Sequence, residues 1–251
     1  MFLRKFVLAS SAALLAMSAP HASAYEMKPM VIELRPSGQG SAASGIIRNT
    51  HQEPIAIELQ VFARTQNPDG TDELVLDEND VIVTPPQMVI DPGDSQAFRI
   101  QWVGNPDPGR ELSYRLVSNQ LPIRFKKVER NDYTAEVTMR YRYEVALYIQ
   151  PQGTQPSAQL QSAKVIDDGQ GGRILELAIS SNGTRRAILD KPTLELNSGG
   201  TSLTLESDQL GALIGLNILP GSTRIVRMPA PSGLPLGEIS GSLKTTYLVV
   251  S

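Results

Sequence analysis

The chain has 251 residues, with 23 Lys and Arg against 26 Asp and Glu, two histidines and no cysteine. A formal net charge of −3 gives no basic surface for nucleic acid. The absence of thiols excludes disulfides and thiolate metal sites.

Arg4 and Lys5 give a positive start, residues 6–17 are mostly apolar, and Ala22-Ser23-Ala24 is a small-residue cleavage signal. Residues 1–24 therefore read as an export signal peptide, which carries His21 away and leaves a mature chain starting near Tyr25. The apolar run is short of the ~20 residues that span a bilayer, and Ser10, Ser11 and Ser18 interrupt it, so the protein reads as not membrane-embedded. What remains suffices for two domains, each with its own core.

From residue 30 onward, short β-prone runs alternate with turn residues, and no amphipathic stretch is long enough for a helix. Strands are expected over 31–34, 44–48, 55–63, 80–83, 95–103, 112–117 and 133–148. Their separators include Asn67-Pro68-Asp69-Gly70, Thr84-Pro85-Pro86 and Asp91-Pro92-Gly93-Asp94, where proline and glycine geometry bends the chain. Seven strands at this spacing predict an immunoglobulin-like sandwich over 25–151, without the cysteine pair of antibody domains. His51, in the polar run 49–53, reads as a turn residue. Asp77, Glu78 and Asp80 read as a solvated acidic turn, because the glycine and closing glutamate of a calcium loop are missing.

The last of these runs is the most informative. Ala135, Val137, Met139, Tyr141, Tyr143, Val145 and Leu147 occupy every second position, and Thr134, Glu136, Thr138, Arg140, Arg142 and Glu144 lie between them. Period-two alternation puts the two sets on opposite faces of one strand. An ordinary strand has about 5–6 residues. This longer one is either a plain interior strand or a strand whose edge can complete another protein's unfinished sheet.

Residues 152–157 hold no large apolar side chain and read as a linker. A second β-sandwich is expected over 158–251, with strands at 173–179, 192–196, 201–205, 222–228 and 240–250. Gly169-Gln170-Gly171-Gly172 lacks the lysine-serine ending of a phosphate loop and reads as a hairpin turn.

No Gly-x-Ser-x-Gly elbow surrounds any serine, and the mature chain holds one histidine, so the sequence reads as no enzyme and implies no cofactor. Trp102, the sole tryptophan, sits in an apolar strand and offers no sugar-stacking platform. If the runs 112–117 and 133–148 pair, Arg115, Arg140 and Arg142 converge at one end of an inter-domain cleft, where a guanidinium fork suits a carboxylate. The alternative is a set of exposed charges paired with Glu111, Glu136 or Glu144.

An ordered set of motifs resembles the periplasmic chaperones of chaperone–usher fimbrial assembly. It comprises Asn49 with Glu53-Pro54-Ile55, Val83-Thr84-Pro85-Pro86, Ile90-Asp91-Pro92-Gly93, Glu111-Leu112-Ser113-Tyr114-Arg115 ahead of Leu121-Pro122, Arg142-Tyr143-Glu144-Val145 before Pro151, Asn182-Gly183 and Leu219-Pro220-Gly221-Ser222. The resemblance implies two immunoglobulin-like β-sandwiches in a boomerang arrangement and a periplasmic location. It implies pilus subunits and an outer-membrane usher as partners, and donor-strand complementation by the long strand, with Val137, Met139, Tyr141 and Tyr143 facing the subunit. In the best-known branch, an arginine on the first strand and a lysine near the end of the long strand anchor the subunit's C-terminal carboxylate. The matching positions here are Val31 or Ile32 and Ala146, none of them basic. The pattern resembles the archaic or alternative branches, and Arg115, Arg142 and Arg35 are the anchoring candidates. An exported two-domain adhesion or pilus structural component is the alternative reading.

Overall fold

The computed structural model describes residues 25–122, 140–198 and 200–249. The signal expected over 1–24, and Val137 and Met139 of the long run, lie outside the described residues.

The first run of chain serves two sheets. β1 (Glu26–Lys28) pairs antiparallel with β3 (Ala42–Arg48), whereas β2 (Val31–Leu34) pairs parallel with β10 (Arg142–Ile149). Pro29 lies between them; without an N–H it ends the first ladder and lets the chain cross to the opposite sheet. One sheet has the order β1-β3-β8-β6, with β6 Val81–Thr84 and β8 Ser95–Trp102. The other runs β2-β10-β9-β4-β5, with β9 Leu112–Leu121, β4 Ile55–Gln66 and β5 Asp72–Leu76, and β7 (Gln87–Ile90) also pairs with β4. Ile47, Phe98 and Ile100 from the first sheet meet Ile57, Leu116, Leu147 and Ile149 from the second in one core. Trp102 belongs to that core, 3% exposed.

The second sandwich comprises β11 (Ala158–Asp167), β12 (Arg173–Ser181), β13 (Ala187–Ser198), β14 (Thr201–Leu205), β15 (Asn217–Ile218), β16 (Thr223–Pro229) and β17 (Gly237–Tyr247). Its strand order is β14-β13-β17-β11-β12-β16, with β15 against β13. Leu175, Leu177, Ile179, Leu189, Leu194 and Leu196 form a separate core. The fold is all-β, two β-sandwich domains in one chain.

Several expectations need amendment. β1, β5, β7, β11 and β15 were not anticipated; β5, Asp-Glu-Leu-Val-Leu, is a largely exposed edge strand without apolar alternation. In residues 152–157 the carbonyls of Gln155 and Ser157 accept backbone hydrogen bonds from the 182–185 turn. Asp77 accepts from the Asp80 and Val81 N–H groups, so the acidic run caps a turn. Among the described residues no acidic or imidazole cluster is placed to hold a metal.

Candidate functional site: an open strand edge and its arginine row

Strand β10 is where the two readings of the long run separate. Register settles how its backbone points. Tyr141 O accepts from Gln120 N, so odd-numbered residues exchange hydrogen bonds with β9, and even-numbered residues present N–H and C=O to the other side. There β2 covers only the second half, from the Ala146–Val31 pair to Ile149–Leu34, with Ala146 N donating to Met30 O. No described strand lies beside Arg142 and Glu144, whose outward backbone groups form an open edge. Among the described residues, β2 seals the second half of the strand and nothing pairs with the first half on that side.

Its side chains divide the same way. Val145, Leu147 and Ile149 are fully buried in the first core. Tyr143 packs against that core as well: its ring lies edge-on to Tyr25 with centroids 4.7 Å apart, and its hydroxyl donates to Tyr25 O at 2.6 Å. Burial pushes the Tyr25 hydroxyl up to about 12, against its bond to Ser118. Tyr141 packs on the core and stacks tilted against His51, 5.6 Å between centroids. The home domain therefore already engages both tyrosines. Burial draws His51 below its usual value, and its backbone N–H bonds to Asn49 Oδ1 in the expected turn.

On the cleft-facing side, the ladders align a row across the sheet: Val31, Ala146, Arg115, Phe62 and Leu76 on five successive strands. The nonbasic positions Val31 and Ala146 are thus direct neighbours, and Arg115 stands one strand further along the same row. Its Nη2 lies 2.7 Å from Asp72 Oδ2, and Arg64 Nε lies 2.8 Å from Asp72 Oδ1. Burial alone would raise the Asp72 carboxyl, but the hydrogen bonds and charges of Arg115 and Arg64 outweigh it and hold it below the usual carboxylate range. Two guanidiniums share one carboxylate, so the cluster carries one excess positive charge, and Arg115 keeps 19% of its side chain exposed.

Arg115 and Arg142 do not converge. They belong to rows four residues apart along β10, roughly 13 Å. Arg142 is exposed and bonds to Glu144 and Asn119. Arg35 lies past the end of β2, its Nη1 3.5 Å from Gln150 O. Arg64 and Asp72 escaped the sequence reading. Carrying the alternation of the 55–63 run one residue further puts Arg64 on the face of Phe62, which is the signal that could have found it.

A seam joins the domains beside this row. Arg186 Nη1 lies 2.6 Å from Glu111 Oε2, its other nitrogen bonds to Glu33, and its guanidinium carbon sits 3.8 Å from the centre of the Tyr148 ring. Burial raises the Glu111 carboxyl, against the pull of Arg186 and Arg185. Gln66 brackets the second domain's backbone, donating to Asn217 O at 3.0 Å and accepting from Leu219 N at 3.1 Å.

Residues 32–155 match the model of the pili and flagellar-assembly chaperones, PapD N-terminal domain. The chain's first domain belongs to that family. No curated protein sequence matches this chaperone. Its fold is shared with the CsuC–CsuE chaperone–tip adhesion subunit pre-assembly complex from archaic chaperone-usher Csu pili of Acinetobacter baumannii. That match has 19% identity and TM-score 0.53, covering 81% of this chain and 90% of that one. The Class 5 fimbriae chaperone CfaA matches at 14% identity and TM-score 0.53, over 90% of this chain and 100% of the other. The Salmonella enterica SafA pilin complex with the SafB chaperone matches at 15% and 0.51, over 84% and 86%. No described helix of the chaperone is long and apolar enough to cross a membrane.

Proposed function

We propose that this chaperone works in the periplasm, holds pilus subunits by donor-strand complementation and delivers them to an outer-membrane usher. The observation that carries this reading is the half-open edge of β10. The outward N–H and C=O groups of Arg142 and Glu144 can close a subunit's incomplete sheet while β9 and β2 keep the strand rooted. Val137 and Met139 supply the apolar plugs. Tyr141 and Tyr143 hold the strand to its own domain, a narrower role than the subunit contact expected of them. Relatives of the same fold come from complexes with a tip adhesion subunit and with a pilin, which fits this partner class.

Arg115 takes the anchoring role for the subunit's C-terminal carboxylate. It lies in the row of Val31 and Ala146, is partly exposed, and belongs to a cluster with one positive charge in excess. Arg142 is exposed and lies four residues along the strand from that row, and Arg35 lies outside it.

The test is co-expression with the fimbrial subunit from the same gene cluster. The parent should recover the subunit as a soluble one-to-one complex, and the Val137→Ala, Met139→Ala double variant should lose it to proteolysis. A double variant that protects the subunit as well as the parent would overturn strand lending.

A further inference from the structure

The cleft-facing residues of β10 have different fates. Arg142, Glu144 and Ala146 face outward over the first domain, whereas Tyr148 is 3% exposed and covered by the second domain. Its hydroxyl oxygen accepts from Asn217 Nδ2 at 3.2 Å and Arg64 Nη1 at 3.4 Å, and its ring face carries the Arg186 guanidinium. Asn217 and Arg186 are not independent contacts. Asn217 pairs with Ile188 in the β13–β15 ladder, and Arg186 directly precedes β13, so one corner of the second domain grips both the edge and the face of a single ring. Tyr148 thereby links the root of the strand to the second domain. The open edge starts at Arg142, six residues or about 20 Å along the same strand.

We infer that Asn217 and Tyr148 are positioning residues that set the tilt of β10, so that the second domain controls how well the open edge of the first domain captures a subunit. The inference rests on the strand-lending reading. A bound subunit needs several outward backbone groups of one strand in register at once, and such a ladder tolerates little rotation of its template. Fixing the strand at one end through a buried hydroxyl and a cation–π contact limits that rotation before the subunit arrives, which lowers the ordering cost of binding.

Two substitutions isolate the link. Asn217→Ala removes the side-chain amide but keeps the backbone carbonyl that Gln66 holds, and Tyr148→Phe removes the hydroxyl but keeps the ring under Arg186. In the free protein, amide hydrogen exchange over residues 142–149 should quicken about three- to tenfold in both variants, the worth of one buried hydrogen bond. Exchange at Leu175, Leu177 and Ile179 should stay as in the parent. With subunit present, each single variant should release it faster by a similar factor, and the double variant no faster than either single one. Unchanged exchange in β10 on Asn217→Ala, or additive effects in the double variant, would overturn the coupling. If the parent itself captures no subunit, strand lending fails, while the exchange measurement on the free protein still decides the link.

Discussion

Ala146 stands beside Val31 in the parallel ladder of β10 and β2, and that pair is the first rung on this side of β10. Before it, no described strand pairs with the outward backbone groups of Arg142 and Glu144. A proline at Glu144 therefore removes an outward N–H and leaves the ladder to β9 intact, whereas a proline at Val145 breaks that ladder. Glu144→Pro should weaken subunit capture at least tenfold relative to Glu144→Ala and shift the thermal midpoint by only a few degrees. Val145→Pro should cost about 1–3 kcal/mol of stability, the scale of a buried ladder acceptor left without its donor. Calorimetry and subunit binding on the three variants check this, and equal capture by Glu144→Pro and Glu144→Ala would refute it.

Asp72 predicts an acid-sensitive cluster. Its folded carboxyl titrates below its unfolded value of about 3.9, so its stabilising contribution is complete above that pH and is lost as pH falls through the folded value. Asp72→Asn should cost about 2 kcal/mol at neutral pH, where it leaves Arg64 and Arg115 without their shared partner. The difference from the parent should shrink as the pH drops below about 4. Denaturant unfolding at pH 7, 5 and 3 measures it; a constant difference would show that Asp72 is not held down.

Arg115→Ala should weaken subunit binding about tenfold or more, the scale of a charge-assisted pair. A subunit whose C-terminus is amidated should bind the parent that weakly too, and should bind the variant no more weakly still. Isothermal titration of the two proteins against the two subunits gives the coupling; independent losses would remove Arg115 from the anchoring role. Arg142→Ala should leave the affinity within about twofold, as befits an exposed pair.

The sequence carried the sandwich architecture because apolar alternation and proline–glycine turns are local signals, legible in the runs around Ile57, Phe98 and Leu177. It could not show that β2 seals one half of β10, since a parallel pairing more than a hundred residues away leaves no mark at either site. Nor could it separate Arg115 from Arg142, because which row an arginine joins depends on register across three strands. Edge strands such as β5 were invisible for want of a buried face, and Asp72 was hidden with it.

The inter-domain ion pair is a strong candidate for a vulnerable point. Glu111 is 2% and Arg186 4% exposed, so removing Glu111 takes the closest buried carboxylate from Arg186 and leaves it only the partly exposed Glu33 in a poorly solvated seam. Glu111→Gln should destabilise the protein by about 3 kcal/mol. The double variant Glu111→Leu, Arg186→Met, which removes both charges and keeps apolar volume, should recover much of that loss. Urea unfolding of the single and double variants distinguishes this from a simple packing defect, which would make the double variant the worse of the two.

Gly183 governs how the connecting segment lies. A Cβ there would fall 2.5 Å from both Gln155 O and Ser157 N, backbone atoms that cannot swing aside as a side chain would. Those same residues are strapped to the turn by Asn182 N to Ser157 O and Thr184 N to Gln155 O, at 3.1 and 2.9 Å. Gly183→Ala must displace the segment and should cost about 1–3 kcal/mol, the usual range for forced overpacking. Amide exchange should quicken around residues 155–158 and 182–185 while the first-domain core around Leu116 and Leu147 keeps its protection. If Gly183→Ala unfolds at the parent's midpoint with unchanged exchange, the segment has room to yield and the close approach does not constrain it.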